Sequence, residues 1–285
     1  MPQSPGTLYI VATPIGNLDD LTFRALEVLR ATDIIAAEDT RRTRKLLSHF
    51  NISAKTISYR EHNREKAGEA ILHNLFNGIN VVLVTDAGTP GLSDPGHHLV
   101  RSCVSNDIRV IPVPGANALT TAVSVSGIPM DSFLFEGFLP SRRAARRSRL
   151  SEIGAVAEPF VLYESPNRVV DTLNDISDIL GDREVLVARE MTKVHEEYIR
   201  GTASKIAHRL KKGDVKGEIT LVVSGGKAPG VNINIPAAAK RLLKEGLTPS
   251  RCAAVLAELT GIDRRTIYGT ISGLSGQNSQ GGKDG

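Results

Sequence analysis

Ile79-Asn80-Val81-Val82-Leu83-Val84-Thr85, running straight into Asp86-Ala87-Gly88-Thr89-Pro90-Gly91-Leu92-Ser93-Asp94-Pro95-Gly96, decides how this chain is read. The first stretch is an almost unbroken apolar run rich in β-branched side chains, which suits a strand buried on both faces. The second is crowded with Gly and Pro, which turn the chain and leave backbone amides and carbonyls exposed. A helix over 95–105 and another apolar strand over 109–113 follow. The same pattern extends outward: strands 7–13, 33–38 and 55–59, a helix from about 64 to Asn77-Gly78, and a helix over 116–126. After the first strand, Leu18, Leu21, Ala25, Val28 and Leu29 share one helical face, with Asn17 placed as its N-cap. Apolar strands alternating with amphipathic helices predict an α/β fold with a mostly parallel sheet covered on both faces.

Residues 130–140, holding Phe133, Phe135 and Phe138, break that rhythm and read as a crossover into a second α/β half. There the expected order is helix 142–157, strand 159–164, helix 167–180, strand 183–190, strand 196–201, helix 203–212 and strand 218–224. The closeness of 183–190 to 196–201 suits a hairpin, so this second sheet is expected to be mixed. Residues 225–235 read as a linker, three short helices follow at 236–245, 249–260 and 263–273, and the end of the chain reads as a disordered tail. The organisation expected is therefore an N-terminal α/β domain at 1–128, a second at 129–226, a small helical domain at 236–274 and a tail at 275–285.

Composition narrows the function. At 285 residues the chain is long enough for two domains at about 150 residues each. With 41% hydrophobic and 23% charged residues it resembles an average globular protein, which excludes wholesale disorder. Aromatics make up 4% and Trp is absent, which argues against a base-stacking platform built from many rings. Cys103 and Cys252 form no C-x-x-C pair, which suits buried thiols in a reducing compartment. No apolar run approaches the ~20 residues that span a bilayer and no signal segment is evident. A cytoplasmic location is expected.

In an open α/β sheet, ligands bind beyond the carboxyl ends of the strands. The loops there are Thr13-Pro14-Ile15-Gly16-Asn17, the Asp86–Gly96 turn quoted above, and Pro114-Gly115-Ala116-Asn117-Ala118. None is a dinucleotide G-x-G-x-x-G or a phosphate-cradling G-x-x-x-x-G-K-[ST], which disfavours a nicotinamide or ATP enzyme. Any one such loop serves equally well as a simple chain reversal, but three on one rim point to a small-ligand site.

Taken with Ala37-Glu38-Asp39-Thr40-Arg41, Glu136-Gly137-Phe138-Leu139-Pro140, Tyr163-Glu164-Ser165-Pro166-Asn167-Arg168 and Ala188-Arg189-Glu190-Met191-Thr192-Lys193, these loops form an ordered set of blocks. The set resembles the ribosomal RNA small subunit methyltransferase I family, the 16S rRNA cytidine 2′-O-methyltransferases, within the tetrapyrrole-methylase superfamily. The resemblance runs from about residue 6 to 274. The superfamily's G-x-G-P-G-D first loop is here Thr13–Asn17 and its G-D-P is Gly88-Thr89-Pro90, departures that set the chain apart from the corrin and sirohaem enzymes.

The resemblance implies two α/β domains with an S-adenosylmethionine (SAM) cleft between them, a small C-terminal helical domain, a homodimer and no metal. Carried over by motif, SAM would meet Pro14, Ile15 and Gly16, then Asp86, Ala87, Gly88, Thr89 and Leu92, then Gly115, Ala116, Asn117 and Ala118. From the second half it would meet Tyr163, Glu164 and Gly201. The reaction implied is attack of a ribose 2′-oxygen on the sulfonium methyl. A hydroxyl is a poor acid, so a base or neighbouring cation is sought, and Glu190 with Lys193 are the candidates. Glu38 and Asp39 also follow a strand end and are placed on the RNA side of the site. Two basic clusters, Arg41, Arg42 and Arg44 with Lys45, and Arg142, Arg143, Arg146, Arg147 with Arg149, suit phosphate contacts. Ala257, Gly261 and Ile267 fit a helix-turn-helix spacing, with Arg264 and Arg265 opening its second helix, although a plain helical packing module fits as well. The expected partner is 16S rRNA or the small ribosomal subunit. Methylation of a small tetrapyrrole, or a non-catalytic role in RNA binding or assembly, stays open at this stage.

Overall fold

The computed structural model describes residues 4–211, 213–226 and 234–276. Those up to Ser151, together with Glu158–Ser224, form one compact unit, and Glu152–Ala157 with the residues after Ser224 form a second.

The first unit opens with β1 (Leu8–Val11), α1 (Phe23–Ala31), β2 (Ile34–Ala37), α2 (Thr40–His49), β3 (Lys55–Ser58), α3 (Arg64–Phe76), β4 (Val81–Val84), α4 (His97–Ser105), β5 (Val110–Val113) and α5 (Ala118–Ser124). Its five strands are parallel, in the order β3-β2-β4-β1-β5. Both faces are covered as the apolar runs require. Leu8, Ala36, Val81 and Leu83 pack against Ile71, Leu75 and Leu99 on one side, and Val11, Ile35, Val82 and Val84 against Ala25, Leu29 and Leu47 on the other. Leu8 pairs in register with Val81 and with Val110, so β1, β4 and β5 end level and their loops share one rim.

The second half comprises β6 (Leu134–Phe138), α6 (Arg143–Ile153), β7 (Phe160–Glu164), α7 (Val169–Leu180), β8 (Glu184–Arg189), β9 (Glu197–Thr202), α8 (Ala203–Leu210) and β10 (Ile219–Val223). The sheet is mixed, in the order β6-β7-β10-β8-β9, with β8 and β9 forming the expected hairpin and only β6 and β7 parallel. Ile219 pairs with both Glu164 and Arg189, which brings the ends of β7 and β8 to the start of β10. The two sheets share a core: Ile15, Leu119 and Ala122 from the first pack with Val161, Leu186, Ala188, Met191 and Val222 from the second.

Three local readings are corrected. Asn17 caps a single 3-10 turn at Leu18–Asp20, while α1 begins later and is capped by the Thr22 hydroxyl, which accepts from the Ala25 N–H. Helix α2, which the sequence did not reveal, buries only Thr43 and Leu47, and its cluster of basic residues masks the periodicity. The expected crossover at 130–140 contains β6. A register shift between Phe135 and Gly137 inserts an extra residue and breaks the period of two by which a strand is recognised.

The arginine-rich helix is also not a uniformly solvated face. Arg146 is 4% exposed and lies 2.8 Å from Asp175, itself 2% exposed, and Arg147 bonds both Asp175 and Asp178. Arg149 holds Glu136 through two contacts of 2.6 and 2.7 Å. Arg146 is thus a structural residue that clamps α6 to α7, leaving Arg142 and Arg143 as the exposed positions of that group.

In the second unit, α9 (Ile235–Lys244), α10 (Pro249–Thr260) and α11 (Arg264–Gly276) enclose Ala239, Cys252, Ala253, Leu256, Ile267 and Ile271. Gly261 ends α10 in the left-handed conformation at φ 66°, the turn glycine that the spacing suggested. Arg264 donates to the Ser250 hydroxyl at 2.9 Å, and Arg265 is exposed. The expected tail lies outside the described residues from 277 onward, and most of the expected linker lies outside them at 227–233.

Replacing Asp175 with Ala strands the buried Arg146 guanidinium and is expected to lower unfolding stability by ~3–5 kcal/mol, read by urea denaturation. Burial raises the Asp175 pKa, but the bonds from Arg147 and Arg146 outweigh it and leave the carboxyl below its ordinary value. Its contribution is therefore complete above the unfolded carboxyl's pKa and is lost only as pH falls through the depressed folded value.

Candidate active site

The rim is assembled by backbone bonds between loops distant in sequence. Thr13 and Gly88 exchange both backbone N–H···O bonds at 2.9 Å, joining the loop after β1 to the loop after β4. Gly88 makes this turn at φ 79°, where a side chain would strain the backbone. Asn117 caps α5 by accepting from the Leu119 and Thr120 N–H groups, and its amide donates to the Thr89 hydroxyl at 3.2 Å, which ties in the loop after β5.

These loops face β7 and β10 across a cleft of about 360 Å³. Ile15, Leu92, Met191 and Ile219 give it apolar walls, and Ala87, Gly88, Thr89 and Asn117 give it polar edges. Opposite stand Tyr163 and Glu164 at the end of β7. Glu164 is buried, with one carboxylate oxygen accepting from the Ser165 N–H at 2.7 Å and the other from the Thr172 hydroxyl at 2.6 Å. Burial pushes the Tyr163 hydroxyl up to about 12, so it stays neutral. Its ring meets Phe135 and Phe138 edge-on at 5.1 and 5.7 Å.

One turn of the second half closes onto the first loop. The Thr192 hydroxyl accepts from the Asn17 N–H at 3.0 Å. Gly16 lies so close that a Cβ there would stand 2.5 Å from Lys193 Cγ and 2.6 Å from Thr192 Oγ1. Glu190 and Thr192 adopt φ of 51° and 66°, a strained pair at a site boundary. The Glu190 carboxylate accepts from Lys193 Nζ and from the Glu218 N–H, both at 2.8 Å, and Lys193 also reaches Glu218 at 3.0 Å. The bond from Lys193, then that from Glu218, holds Glu190 below its ordinary pKa. Burial pulls Lys193 down, but its bonds to Glu190 and Glu218 outweigh it and raise its pKa. Glu190 is therefore ionised and accepts both bonds at Oε1, and Lys193 is a cation.

A second, polar cleft of about 760 Å³ adjoins the first, and Ser93 and Asp94 form part of the wall of both. Glu38, Asp39, Asp86, Arg41 and Arg60 line it. Asp86 accepts from the Asp39 N–H at 3.0 Å and pairs with Arg42 at 3.3 Å, while the Glu38 carboxylate accepts from the Asp86 N–H. The bond from Arg41 holds Asp39 down to about 2.

Of the residues expected around SAM, Ile15, Ala87, Gly88, Thr89, Leu92, Asn117, Ala118, Tyr163 and Glu164 line the first cleft. Pro14, Gly16, Gly115 and Ala116 belong to its supporting loops without lining it, and Asp86 lines the polar cleft instead. Gly201 pairs with Val185, at the end of β8 opposite to Arg189, so strand register carries it away from the cleft. Glu190 and Lys193 line neither cleft. Glu38, Asp39 and Arg41 meet at the polar cleft, Arg42 reaches it through Asp86, and Arg44 turns to the Thr56 hydroxyl at 3.2 Å. Not anticipated were Met191, Gly217, Glu218 and Thr220, whose short stretches carry no ligand pattern, or Asp94, for which Ser93-Asp94-Pro95-Gly96 in the decisive turn was a signal. Among the described residues, no group of three His, Cys, Asp or Glu is placed to hold a metal ion, and no helix is long and apolar enough to cross a membrane.

A two-lobed α/β fold with a rim cleft of this kind defines the tetrapyrrole methylases, and the family model described as Tetrapyrrole (Corrin/Porphyrin) Methylases matches residues 7–207. Among solved structures, a cobalt precorrin-4 methyltransferase is similar at TM-score 0.60 and 16% identity, covering 76% of this chain and 94% of that one. The Thermus thermophilus uroporphyrin-III C-methyltransferase complexed with S-adenyl homocysteine aligns at TM-score 0.54 and 18% identity, over 77% and 97%. Sequence relatives are nearer. "Ribosomal RNA small subunit methyltransferase I" of Vibrio cholerae is 43% identical over 94% of this chain and 95% of its own, and that of Escherichia coli O157:H7 is 45% identical over 93% and 94%. The Halalkalibacterium halodurans protein of that name is 50% identical over 77% and 76%. The chain belongs to the ribosomal RNA small subunit methyltransferase I family. It is a methyltransferase, and SAM is its methyl donor.

Substituting Gly16 with Val is expected to push the 191–193 turn off the first loop, lowering both the thermal midpoint and the affinity for SAM; calorimetric scans and SAM titration read the two effects.

Proposed function

We propose that this chain transfers a methyl group from SAM to the 2′-oxygen of a cytidine ribose in 16S rRNA of the small ribosomal subunit, acting in the cytoplasm as a homodimer. The observation that carries the reading is the pair of adjoining clefts. The apolar one falls within the ~300–1,000 Å³ usual for small-molecule sites, and its apolar walls with a few backbone and amide groups fit an adenosine and a thioether chain. The polar one, bordered by Arg41, Arg42 and Arg60, suits a nucleotide with its phosphates. The names of the relatives, which agree on ribosomal RNA, support the same acceptor.

In this reading SAM supplies an electrophilic methyl on its sulfonium, and the protein's main contribution is positioning, worth up to ~7–11 kcal/mol in favourable cases. Ile15, Ala87–Thr89, Leu92, Asn117 and Ala118 hold the donor from one side, and Tyr163, a neutral hydroxyl, and Glu164, locked by Ser165 and Thr172, do so from the other. Glu190 and Lys193 act as positioning residues that keep the second half seated on Gly16-Asn17. Arg142 and Arg143 extend the phosphate-binding surface, and Arg265 of the helical unit offers a further contact.

The test is methyl transfer from isotopically labelled SAM to small subunits lacking their ribose methylations, alongside naked rRNA and a tetrapyrrole precursor, with nucleoside mass spectrometry to locate the label. A methylated cytidine ribose is expected. Label on the tetrapyrrole alone would overturn the acceptor assigned here. Gly88→Val is expected to abolish SAM binding with the fold retained, checked by calorimetry and circular dichroism. Changing Arg41, Arg142 and Arg143 together to Ala should weaken subunit binding and flatten the log–log salt slope by roughly 2–3. Arg146→Ala should act mainly on stability.

A further inference from the structure

We propose that Phe138 is the ring on which the base of the acceptor nucleotide stacks as its ribose is presented to the methyl donor. This deepens the functional reading above and rests on it. Phe138 lines the apolar cleft yet is 58% exposed, whereas Ile15, Met191 and Ile219 of the same lining are 8, 7 and 3% exposed. Those three are walls already closed by the fold. Phe138 stands at the mouth, its ring edge-on to Tyr163 at 5.7 Å and more than half of its surface open to a group arriving from outside. A planar apolar ring held in this way suits a nucleobase, and unpaired nucleotides are commonly splayed out onto such rings. Stacking tolerates any base, so the ring positions the nucleotide without choosing it.

The backbone aims the ring there. Phe135 and Phe138 are an odd number of residues apart, so regular alternation would send them to opposite faces of the sheet. The register shift between Phe135 and Gly137 cancels that odd step. Phe135 pairs with Val161 and Phe138 with Tyr163, and these alternate residues of β7 share one face. Both rings accordingly meet Tyr163. That face is the seam between the two sheets, where Val161 and Phe135 are packed, and Phe138 continues it to the mouth of the cleft. Bulges recur beside active sites because they re-aim side chains in this manner. Two contacts hold this one. Arg149 grips Glu136, the extra residue, at 2.6 and 2.7 Å. Gly137, at φ 71°, lies so close to the turn after β4 that a Cβ would stand 2.7 Å from the Ser93 hydroxyl. Ser93 lines both clefts, so Phe138 directly follows the residue that touches their boundary. A base on Phe138 therefore sits beside the donor pocket and next to the polar cleft, whose Arg41 and Arg60 suit its phosphates.

The experiment compares wild type with Phe138→Ala, Phe138→Leu and Phe138→Trp. SAM affinity is read by calorimetry, and methyl transfer to under-methylated small subunits is read at subsaturating subunit concentration. Expected in Phe138→Ala are SAM affinity within about threefold of wild type and transfer slowed roughly 5–150-fold, the loss of one base–ring stack. Phe138→Leu keeps bulk without an aromatic face and should lose as much, whereas Phe138→Trp should recover most of the transfer. The chain holds no Trp, so Phe138→Trp also carries a single indole reporter. Its emission should be quenched by under-methylated subunits and not by SAM alone. Phe76→Trp, at the exposed last residue of α3, should show no such quenching. Transfer slowed less than about fivefold in both Phe138→Ala and Phe138→Leu overturns the stacking role alone. SAM affinity lowered more than about threefold gives the ring to the donor and overturns it too. Quenching by SAM alone, no quenching by subunits, or equal quenching of both indoles has the same meaning. A changed oligomeric state of Phe138→Ala in sedimentation assigns the ring to a second copy of the chain and overturns the proposal. If wild type binds SAM but labels no RNA, the functional reading fails and the stacking role falls with it. If Phe138→Ala does not fold, the contrast between the other two variants decides: equal transfer by Phe138→Leu and Phe138→Trp overturns the proposal.

Discussion

The apolar seam between the two sheets is the contact on which the rest of the first unit depends. Ile15, Leu119 and Ala122 bring to it the loop after β1 and the helix after β5, and Val161, Leu186, Ala188 and Val222 bring the inner strands of the mixed sheet. The hydrophobic effect is non-directional, so the seam closes the halves without fixing their register. Direction comes from the Asn17 N–H bond to Thr192 across its edge, while Thr13 with Gly88 and Asn117 to Thr89 fix the first half's own loops. Where the seam opens toward solvent, Ile15, Leu92 and Met191 are left lining the cleft, so the site is a continuation of the core rather than an addition to it.

Charge is distributed by the same economy of partners. The arginine clusters divide into clamps and exposed side chains. Arg146, Arg147 and Arg149 are spent on Asp175, Asp178 and Glu136, whereas Arg41, Arg142 and Arg143 remain largely in water. A buried pair such as Arg146–Asp175 contributes little beyond the cost of its own desolvation, but it makes the docking of α6 on α7 unforgiving of a missing partner. At the site the pairing is selective in the opposite sense. Asp39, Asp86, Glu164 and Glu190 each form an ion pair, and Asp94 alone of this group has only the Thr85 hydroxyl and no ion pair among the described residues.

Much of the fold could be read directly, because a strand buried on both faces must be apolar throughout and Val81–Val84 is. The strands and helices that were missed share a physical cause. Helix α2 needs only Thr43 and Leu47 to anchor it and exposes the rest, and β6 carries a bulge that disrupts its alternation. The loops that supply Ala87–Thr89, Leu92, Asn117 and Ala118 to the apolar cleft were legible because loops at strand ends are local objects. Glu190 and Lys193 were singled out because they follow a strand end; the fold pairs them with each other and with Glu218, outside the lining of both clefts.

By itself, then, the sequence determined the alternation of strands and helices, the parallel first sheet, the rim on which ligands gather and the family to which the chain belongs. These follow from short-range periodicity and from motifs whose residues are neighbours in the chain. Only the tertiary structure decided that Gly217 and Glu218 join Ile15 at one cleft, that Gly201 lies at the far end of its strand, that Arg146 is buried, and that Asp94 stands between two cavities. Each of those depends on which strands pair and which side chains find partners across the fold, and no local pattern encodes a partner that is distant in the chain.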